Sequence, residues 1–481
     1  MVFLASIGER GLRLIVTWLL STALGAELFG SYTFAVTIAT IITVFSPLGI
    51  DSGAVYFGAQ YQKQKQWGRQ KGLILSGAWI TILSGVICSG SLWLSAPLLF
   101  EDPNPIQWIA PTILFLTPLM FIVGLLRSIK DMKGNAMVFQ LSIPIGLLIG
   151  AIAIYVGSLS LEHALSFYWI ALAISLIFGL WWARRRLSSR LYDPRITPSY
   201  HTKELLQYSL PQSLAAMVFR LTIWMDIIML GWLSSNDELG IYRIASALAV
   251  IGALPISALS TIFNPIIAEL VSVKDHVRLN TILKTITRWL LSVSFPVLIA
   301  MFLLPDLMLS LFSTEYQAGH IPLQILIGGQ FVWISCAMAM RLIPMSGHST
   351  LTLINGVIAA VLNIGLNYYF IPRYGAQGAA ISTSLTLGLW SLWRLVEIWY
   401  LLKCFPFSKF NTGLFISGVG LALLSHNLIA DLSLFVRTPI VFVMSIIFLL
   451  VAFRWGKEES DEEIAKKIRS KWTRLFSRRN A

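Results

Sequence analysis

One arginine deep inside an apolar segment is the residue of this sequence with the most informative chemistry. Arg220 lies about 15 residues into an apolar run near 205–232, roughly 22 Å along a helix that rises 1.5 Å per residue. A charge in membrane hydrocarbon costs about 2.5–3.5 kcal/mol on insertion scales, so it normally faces a partner or a water-filled cavity. Trp224, four residues on, can stack on the guanidinium group. We therefore expect Arg220 to line a cavity.

Charged residues near the ends of apolar segments allow two interpretations. Glu9, Arg10 and Arg13 lie near the start of the first segment, and Glu9 and Arg13 have the i, i+4 spacing of an ion pair. These three are either cavity residues or a cluster at the membrane surface. Arg243 lies one turn into its segment. It either faces the cavity or extends to the surface, where it pairs with the acidic turn 236–239.

The acidic residues inside the segments are candidates for cavity or coupling groups. Asp226 follows Arg220 by six residues, which turns a helix by about 240°, so the two do not share a face directly. Asp51 lies near a segment end, where a polar helix terminus also explains it. Arg394 and Glu397 have i, i+3 spacing, and we expect them to form a structural pair. Arg394 remains a candidate for a polar cavity residue.

Neutral polar residues form a second candidate group. Asn363 and Asn367 are separated by four residues and therefore lie on one helix face. Amide groups suit sugar hydroxyls, but they also form hydrogen bonds between membrane helices. The second interpretation is the more economical, and we retain both.

The composition places all of these side chains in a membrane protein. The chain has 481 residues, of which 56% are hydrophobic and only 12% charged, about half the charged fraction of soluble domains. Runs of about 20 apolar residues, the length needed to span a bilayer, recur throughout. The sequence predicts an all-α polytopic membrane protein with about 14 transmembrane helices. The spans are expected near 4–24, 30–56, 72–94, 108–126, 135–157, 164–182, 205–232, 240–268, 289–311, 321–345, 349–371, 376–400, 411–430 and 438–455.

The loops between the spans differ in charge and predict the orientation. Loops 57–71, 127–134, 183–204 and 269–288 are basic, whereas the alternate loops are short and mostly acidic. Basic loops stay in the cytoplasm, so both termini are predicted to be cytoplasmic. The same loops explain the net charge of +13, and we expect no nucleic-acid partner.

An internal repeat predicts the domain organisation. The motif 30-GSYTFA-35 begins the second span and 240-GIYRIA-245 begins the eighth, and a proline follows within each helix. The pattern indicates a duplicated six-helix lobe, although the motif itself suits close helix packing. We expect an N-terminal six-helix lobe over 1–203 and a C-terminal six-helix lobe over 204–402. A C-terminal helix pair is expected over 403–456, and a cytoplasmic basic amphipathic tail over 457–481.

Several short elements, in this order, resemble the polysaccharide or O-antigen type lipid-linked oligosaccharide flippases of the multidrug/oligosaccharidyl-lipid/polysaccharide exporter superfamily. They are 24-LGAELFGSYTFA-35, 47-PLGID-51, 206-LQYSLPQSLAAM-217, 238-ELGIYRIASAL-248, 311-LFSTEYQAG-319, 323-LQIL-326 and 372-PRYGAQGAAISTSL-385. The resemblance implies two pseudo-symmetric lobes around a central cavity, in the bacterial cytoplasmic (inner) membrane. The implied cargo is a polyprenyl-diphosphate-linked oligosaccharide, moved across the membrane for surface polysaccharide biosynthesis.

The resemblance also assigns roles to the candidate residues. Guanidinium groups bind phosphate oxygens through paired hydrogen bonds, so arginines at several depths suit a diphosphate headgroup. The expected headgroup residues are Arg10, Arg13, Arg220 and Arg243. The expected acidic or coupling residues are Glu9, Asp51, Asp226 and Glu397, and the polar cavity residues are Asn363, Asn367 and Arg394.

Other functions have less support in the sequence. It lacks the nucleotide-binding pattern G-x-x-x-x-G-K-[ST] and any H-E-x-x-H metal motif, so we expect no enzyme activity and no cofactor. A cation-coupled multidrug exporter and a lipid II flippase are alternatives within the superfamily. A membrane-embedded polysaccharide polymerase or ligase is an alternative of another class. The expected partners are the lipid-linked sugar, membrane lipids and polysaccharide assembly proteins, and we expect a monomer.

Overall fold

The protein is described by a computed structural model over residues 2–273, 275–429 and 432–455. All regular elements within these residues are helical. The prediction of an all-α membrane protein is therefore confirmed. The predicted basic tail, 457–481, lies outside the described residues.

Two compact units divide the chain at Gly240 and Ile241. The first unit holds α1 (Val2–Phe45), α2 (Ile50–Lys63), α3 (Trp67–Leu99), α4 (Asn104–Ile109), α5 (Pro111–Ser128), α6 (Met132–Asn135), α7 (Ser142–Gly157), α8 (Leu161–Arg186) and α9 (Thr202–Leu233). A π-helical segment, Ala136–Leu141, joins α6 to α7, and a 3-10 turn, Ser189–Tyr192, follows α8. The next helix, α10 (Asn236–Ala249), crosses the division.

The second unit continues with α11 (Leu254–Ser272), α12 (His276–Leu303), α13 (Pro305–Ser310), α14 (His320–Cys336), α15 (Leu342–Met345), α16 (Ser349–Leu402), α17 (Lys409–Ile429) and α18 (Leu434–Trp455). Three 3-10 turns connect them, at Val250–Ala253, Thr314–Gly319 and Ala339–Arg341.

Two glycines break the longest helices. Gly25 in α1 has φ 74° and Gly375 in α16 has φ 51°, values that a side chain with a Cβ rarely adopts. Both lie between consecutive predicted spans. The apolar stretch Gly8–Lys63 has 56 residues. A straight helix of that length would extend about 84 Å, more than twice the bilayer core. The break at Gly25 and the turn between α1 and α2 divide it into shorter helical lengths.

The number of candidate membrane-spanning helices agrees with the number of predicted spans once the breaks within long helices are counted. By length and apolarity, 10 helical stretches among the described residues qualify, or 11 if the bent pair Thr314–Cys336 and Ala339–Met345 is one span. Two of the stretches, Gly8–Lys63 and Thr350–Leu402, each contain two predicted spans. The predicted span near 205–232 falls on α9, of which Trp224–Leu233 qualifies as a shorter apolar helix. Each predicted span thus falls on helix.

Apolar packing positions the helices within each unit. In the first unit, Phe57 and Tyr61 of α2 pack with Phe121 of α5 and Leu205 of α9. In the second, Phe295 of α12 contacts aromatic rings of α14, α17 and α18. The last two helices are therefore anchored on α12. Packing assigns α9 to the first unit, whereas the predicted lobes follow the duplication and divide the chain at 203.

The repeated motif marks a very close helix contact in the first unit. A Cβ on Gly30 would collide with the backbone carbonyl of Asn236, and a Cβ on Gly240 would collide with that of Ala26. The glycines of the two motif copies thus face each other across α1 and α10. Close approach of this kind is the packing role expected of small residues in membrane helices.

Candidate functional site

The first cationic group of the predicted site lies on α1. Arg13 Nε is 3.1 Å from Glu9 Oε1, in the predicted i, i+4 pair. The pair leaves 46% of the arginine side chain and 22% of the glutamate side chain exposed. Arg10, between them in sequence, is also exposed. Neutralisation by Glu9 is therefore partial, and Arg13 keeps hydrogen-bond donors that an anion can reach.

Arg220 on α9 is exposed despite its depth in the helix. Its guanidinium carbon lies 5.5 Å from the centre of the Trp224 ring, which is the predicted cation–π contact. Stacking on an indole holds the guanidinium plane without using its N–H groups. Those groups remain available to phosphate oxygens. Asp226 is half-buried one and a half turns further along α9.

Asp51 lies in the first turn of α2, where it is half-buried. The helix begins after Gly49, whose φ is 72°. Gly124 of α5 packs directly on the Asp51 backbone, and a Cβ there would collide with the Asp51 carbonyl. Asp51 therefore lies where α2 and α5 meet. The positive charge of the Arg127 guanidinium, at the end of α5, attracts the Asp51 carboxylate.

Glu397 and Arg394 on α16 do not form the expected pair. The carboxylate of Glu397 accepts hydrogen bonds from Asn355 Nδ2 at 2.6 Å and from Trp393 Nε1 at 2.7 Å. The guanidinium of Arg394 instead lies over Trp390, at 5.5 Å. The prediction of a direct ion pair was wrong: the Glu397 carboxylate accepts from two neutral donors, and it attracts Arg394 only at longer range. One of those donors comes from the opposite half of α16.

The two asparagines join the halves of α16. Asn367 Nδ2 donates to Asn363 Oδ1 at 2.9 Å, and Asn363 Nδ2 lies 3.5 Å from Thr386 Oγ1. Both asparagines are buried. This arrangement is the hydrogen bonding between helices that we considered the more economical interpretation.

Arg243 is half-buried on α10, and its backbone carbonyl accepts a hydrogen bond from Ser246 Oγ at 3.0 Å. The candidate residues thus fall into two groups, described separately. The first unit holds Glu9, Arg10, Arg13, Asp51, Arg220 and Asp226, and the second holds Arg243, Asn363, Asn367, Arg394 and Glu397.

The sequence analysis missed one membrane arginine. Arg341 ends the 3-10 turn Ala339–Arg341, within the predicted tenth span. The helix is broken there, with a bend of 58° between Thr314–Cys336 and Ala339–Met345. Arg341 is half-buried and its Nε has no hydrogen-bond partner. An arginine in an apolar run was the available signal, and it follows 331-FVWISCAMAM-340 directly.

Comparison with known proteins gives two family matches. The sequence model described as "Polysaccharide biosynthesis protein" matches residues 1–271. A second model, described as "MatE", matches residues 211–369. Together the matches extend over both units.

Two curated relatives come from Haloferax volcanii. The "Probable flippase AglR" is 29% identical over 175 residues, which cover 35% of this chain and 36% of the relative. The "Probable low-salt glycan biosynthesis flippase Agl15" is 24% identical over 225 residues, covering 46% of this chain and 47% of the relative. The aligned regions therefore span less than half of either relative.

Solved structures share the fold over most of the chain. A lipid II flippase, MurJ, in an inward closed conformation matches with a TM-score of 0.70 at 15% identity, covering 94% of this chain and 98% of its own. An inward-facing multidrug resistance MATE family transporter of the MOP superfamily matches with a TM-score of 0.63 at 14% identity, covering 82% and 95%. At these identities, the likeness concerns the fold.

Proposed function

The chain belongs to the polysaccharide biosynthesis protein family, and from that premise we propose that it flips a polyprenyl-diphosphate-linked oligosaccharide from the cytoplasmic to the outer leaflet. The curated relatives support this proposal, since both are described as flippases and one of them as acting in glycan biosynthesis. The bacterial cytoplasmic membrane and a role in surface polysaccharide assembly follow from the resemblance of the motifs.

The observation that carries the proposal is the exposed guanidinium of Arg220 on a membrane helix. A cation at this depth is costly unless it serves a ligand or a wet cavity. Arg220 stacks on Trp224, so its N–H groups are not used by the ring. A diphosphate offers many acceptor oxygens and the opposite charge. We assign Arg220, with Arg10, Arg13 and Arg243, to headgroup binding.

The remaining candidates have supporting roles in this account. Glu9 balances part of the charge of Arg13 at 3.1 Å, which lets the arginine release its ligand. Asp51, Asp226 and Glu397 are the ionisable acids that could couple transport to a cation. Asn363 and Asn367 fix the helical halves of α16. Transport of this kind moves the lipid-linked sugar within membrane lipids, passes it to polysaccharide assembly proteins and makes no covalent change.

The proposal is tested with purified protein in vesicles that contain a fluorescent polyprenyl-diphosphate oligosaccharide. A membrane-impermeant reductant reports how much label reaches the far leaflet. Vesicles with the protein should equilibrate the label much faster than protein-free vesicles. The same sugar on a neutral polyprenyl carrier should move no faster than in protein-free vesicles. Failure to accelerate the diphosphate lipid contradicts the proposal.

Drug export is the second candidate, because the MatE model matches residues 211–369. A cationic drug suits acidic cavity groups better than a series of arginines, since like charges repel. Uptake of a fluorescent organic cation by the same vesicles, driven by a sodium or proton gradient, would favour export. If each protein molecule takes up the organic cation faster than it flips the lipid, drug export is the main function.

A further inference from the structure

Among the described residues, four side chains of the second unit present buried nitrogen donors that no acceptor satisfies. Arg437 on α18 contributes one such atom, Nε. The other three side chains contribute four atoms, which are Arg341 Nε, Trp390 Nε1, and Nε and Nη2 of Arg394. All four atoms are buried, and Arg394 as a whole is only 5% exposed. A buried N–H without an acceptor costs about 1–3 kcal/mol, and more when it is charged. In native proteins such groups usually meet an unseen ion or water.

Two contacts place these donors in one region. The Arg394 guanidinium lies over the Trp390 ring at 5.5 Å. Ser391 Oγ is 4.0 Å from Met340 Sδ, so α16 packs on the turn that contains Arg341. Arg394 follows Ser391 by one helical turn on the same buried face, and Arg341 is adjacent to Met340. The two arginines therefore lie on either side of the contact between Ser391 and Met340, each close in sequence to one of its members.

The nearest acid does not neutralise this pair of cations through a hydrogen bond. The oxygens of Glu397 accept from Asn355 and Trp393, and its charge attracts Arg394 without a direct hydrogen bond. One carboxylate balances at most one of the two guanidinium charges and leaves the donors unused, so an oxygen-rich anion is a ligand that matches the region. Arginine binds phosphate oxygens with two parallel N–H bonds, and indole N–H adds a third direction.

The surroundings indicate that the anion belongs to a lipid. Trp390 also lines a small groove, with a cavity volume of about 50 Å³, between the two halves of α16, together with Ile358, Leu362, Leu389 and Trp393. Ile358 and Leu389 are 42% and 51% exposed, as expected for side chains that face hydrocarbon. A phosphate at the arginines would therefore have an apolar channel beside it for a chain.

We propose that Arg341, Trp390 and Arg394 form a binding site for the phosphate group of a lipid, with part of a lipid chain in the adjoining groove. On the predicted orientation, the site lies toward the cytoplasmic ends of spans ten and twelve. Its ligand is either the diphosphate of the glycan lipid or the phosphate of a membrane phospholipid. The first source rests on the proposed function, and the second does not.

Lipid binding is measured by native mass spectrometry of the full chain released from detergent, after titration with single lipids. The probes are phosphatidylglycerol and a polyprenyl diphosphate, with diacylglycerol and polyprenol as their phosphate-free counterparts. Arg394→Gln and Arg341→Gln should each weaken binding of the phosphate-bearing lipid about tenfold, since each removes charged hydrogen bonds. Binding of the phosphate-free lipids should not change.

The matched control is Arg373→Gln. Arg373 lies on the same helix and stacks on Tyr369 at 4.0 Å, but it is exposed. It should leave binding unchanged. A melting curve for each variant identifies any loss of fold, and Arg394→Lys serves as a variant that keeps the charge. Arg341→Gln carries the test if Arg394→Gln does not fold. Stronger loss for polyprenyl diphosphate identifies the cargo as ligand, and stronger loss for phosphatidylglycerol identifies a membrane lipid.

Two results would overturn the site. One is that a folded Arg341→Gln or Arg394→Gln protein binds both phosphate lipids as the wild type does. The other is that Arg373→Gln weakens them equally, which would show attraction by net charge alone. Because binding is measured without transport, a protein that binds phosphate lipid but fails to flip it would contradict the proposed function and leave this site intact.

Discussion

Local spacing determines most of the side-chain geometry around the candidate residues. The i, i+4 pairs Glu9–Arg13 and Arg220–Trp224 both form, because a helix alone brings such residues together. The i, i+3 ion pair of Arg394 and Glu397 does not form, and the carboxylate accepts instead from Trp393 and from Asn355 in the other half of α16. Spacing along a helix shows which side chains are within reach, and the packed structure decides which of them pair.

Asp131 shows how an acid outside the spans is stabilised by its neighbours. It caps α6 by accepting from the Gly134 N–H at 2.9 Å, accepts from Trp182 Nε1 at 2.9 Å and lies 3.4 Å from Arg186 Nε. Burial alone would raise the pKa of Asp131. The hydrogen bonds from Gly134 and Trp182 and the charge of Arg186 outweigh it, so the pKa lies below its ordinary value.

Asp131→Asn should therefore lower the free energy of unfolding at neutral pH by about 0.5–1 kcal/mol, because the amide oxygen still caps α6 but the negative charge that attracts Arg186 is lost. A carboxyl with a depressed folded pKa stabilises the protein above its unfolded pKa, and this contribution is lost as the pH falls through the folded pKa. Thermal melts of both proteins should accordingly converge on acidification. Asp193→Asn is the control, because Asp193 is exposed and its carboxylate accepts from the Arg195 N–H of its own loop. A gap that stays constant with pH would contradict the explanation.

At the scale of helices, the paired glycines of α1 and α10 determine how closely the two can pack. Gly30→Ala or Gly240→Ala would force a methyl group against a backbone carbonyl that cannot rotate away. Overpacking of this kind costs about 1–3 kcal/mol, and we expect a clear drop in melting temperature for each. Gly90→Ala on α3 is the matched control, since nothing lies within 4 Å of a Cβ there. Equal melting of Gly30→Ala and Gly90→Ala would exclude the close contact.

The last helix is fastened to the second unit by an ion pair. Arg437 Nη2 on α18 is 2.9 Å from Asp306 Oδ2 on α13, and the two side chains are 12% and 50% exposed. Arg437→Ala should destabilise the protein by about 1.5 kcal/mol, the lower end of the range of about 1.5–3 kcal/mol for charged hydrogen bonds, because Asp306 is half-exposed. Arg454→Ala, at an exposed position of the same helix, should have little effect. Faster proteolysis around α18 in Arg437→Ala alone would verify the role, and equal rates in both variants would refute it.

The positions of the helices could be predicted from the sequence, whereas their breaks could not. Apolar length and loop charge are local properties, so every predicted span falls on helix. The chain has 34 glycines, and the sequence does not show that Gly25 and Gly375 would take positive φ values. That choice depends on how the chain turns between spans. Arg341 was missed for the same reason, since its importance comes from the bend beside it.

At the scale of the molecule, family and fold were both predictable. The order of short motifs resembles oligosaccharide flippases, and the match of the polysaccharide biosynthesis model over residues 1–271 confirms that resemblance. The fold is shared with MurJ, with a TM-score of 0.70. The compact units divide at Gly240 because α9 packs on α1 and α2, a tertiary preference that the duplication does not reveal.

The central claim is that a membrane arginine binds the diphosphate of a glycan lipid during flipping. It is tested most directly by the initial flipping rate of a fluorescent polyprenyl-diphosphate oligosaccharide in vesicles with equal amounts of wild type, Arg220→Ala or Arg185→Ala. Arg185 stacks on Trp181 at 4.1 Å at the end of α8, so it shares the chemistry of Arg220 in a predicted cytoplasmic position. The account predicts a loss of about tenfold or more for Arg220→Ala, since charged hydrogen bonds contribute about 1.5–3 kcal/mol, and no loss for Arg185→Ala. Equal rates for wild type and Arg220→Ala would contradict it.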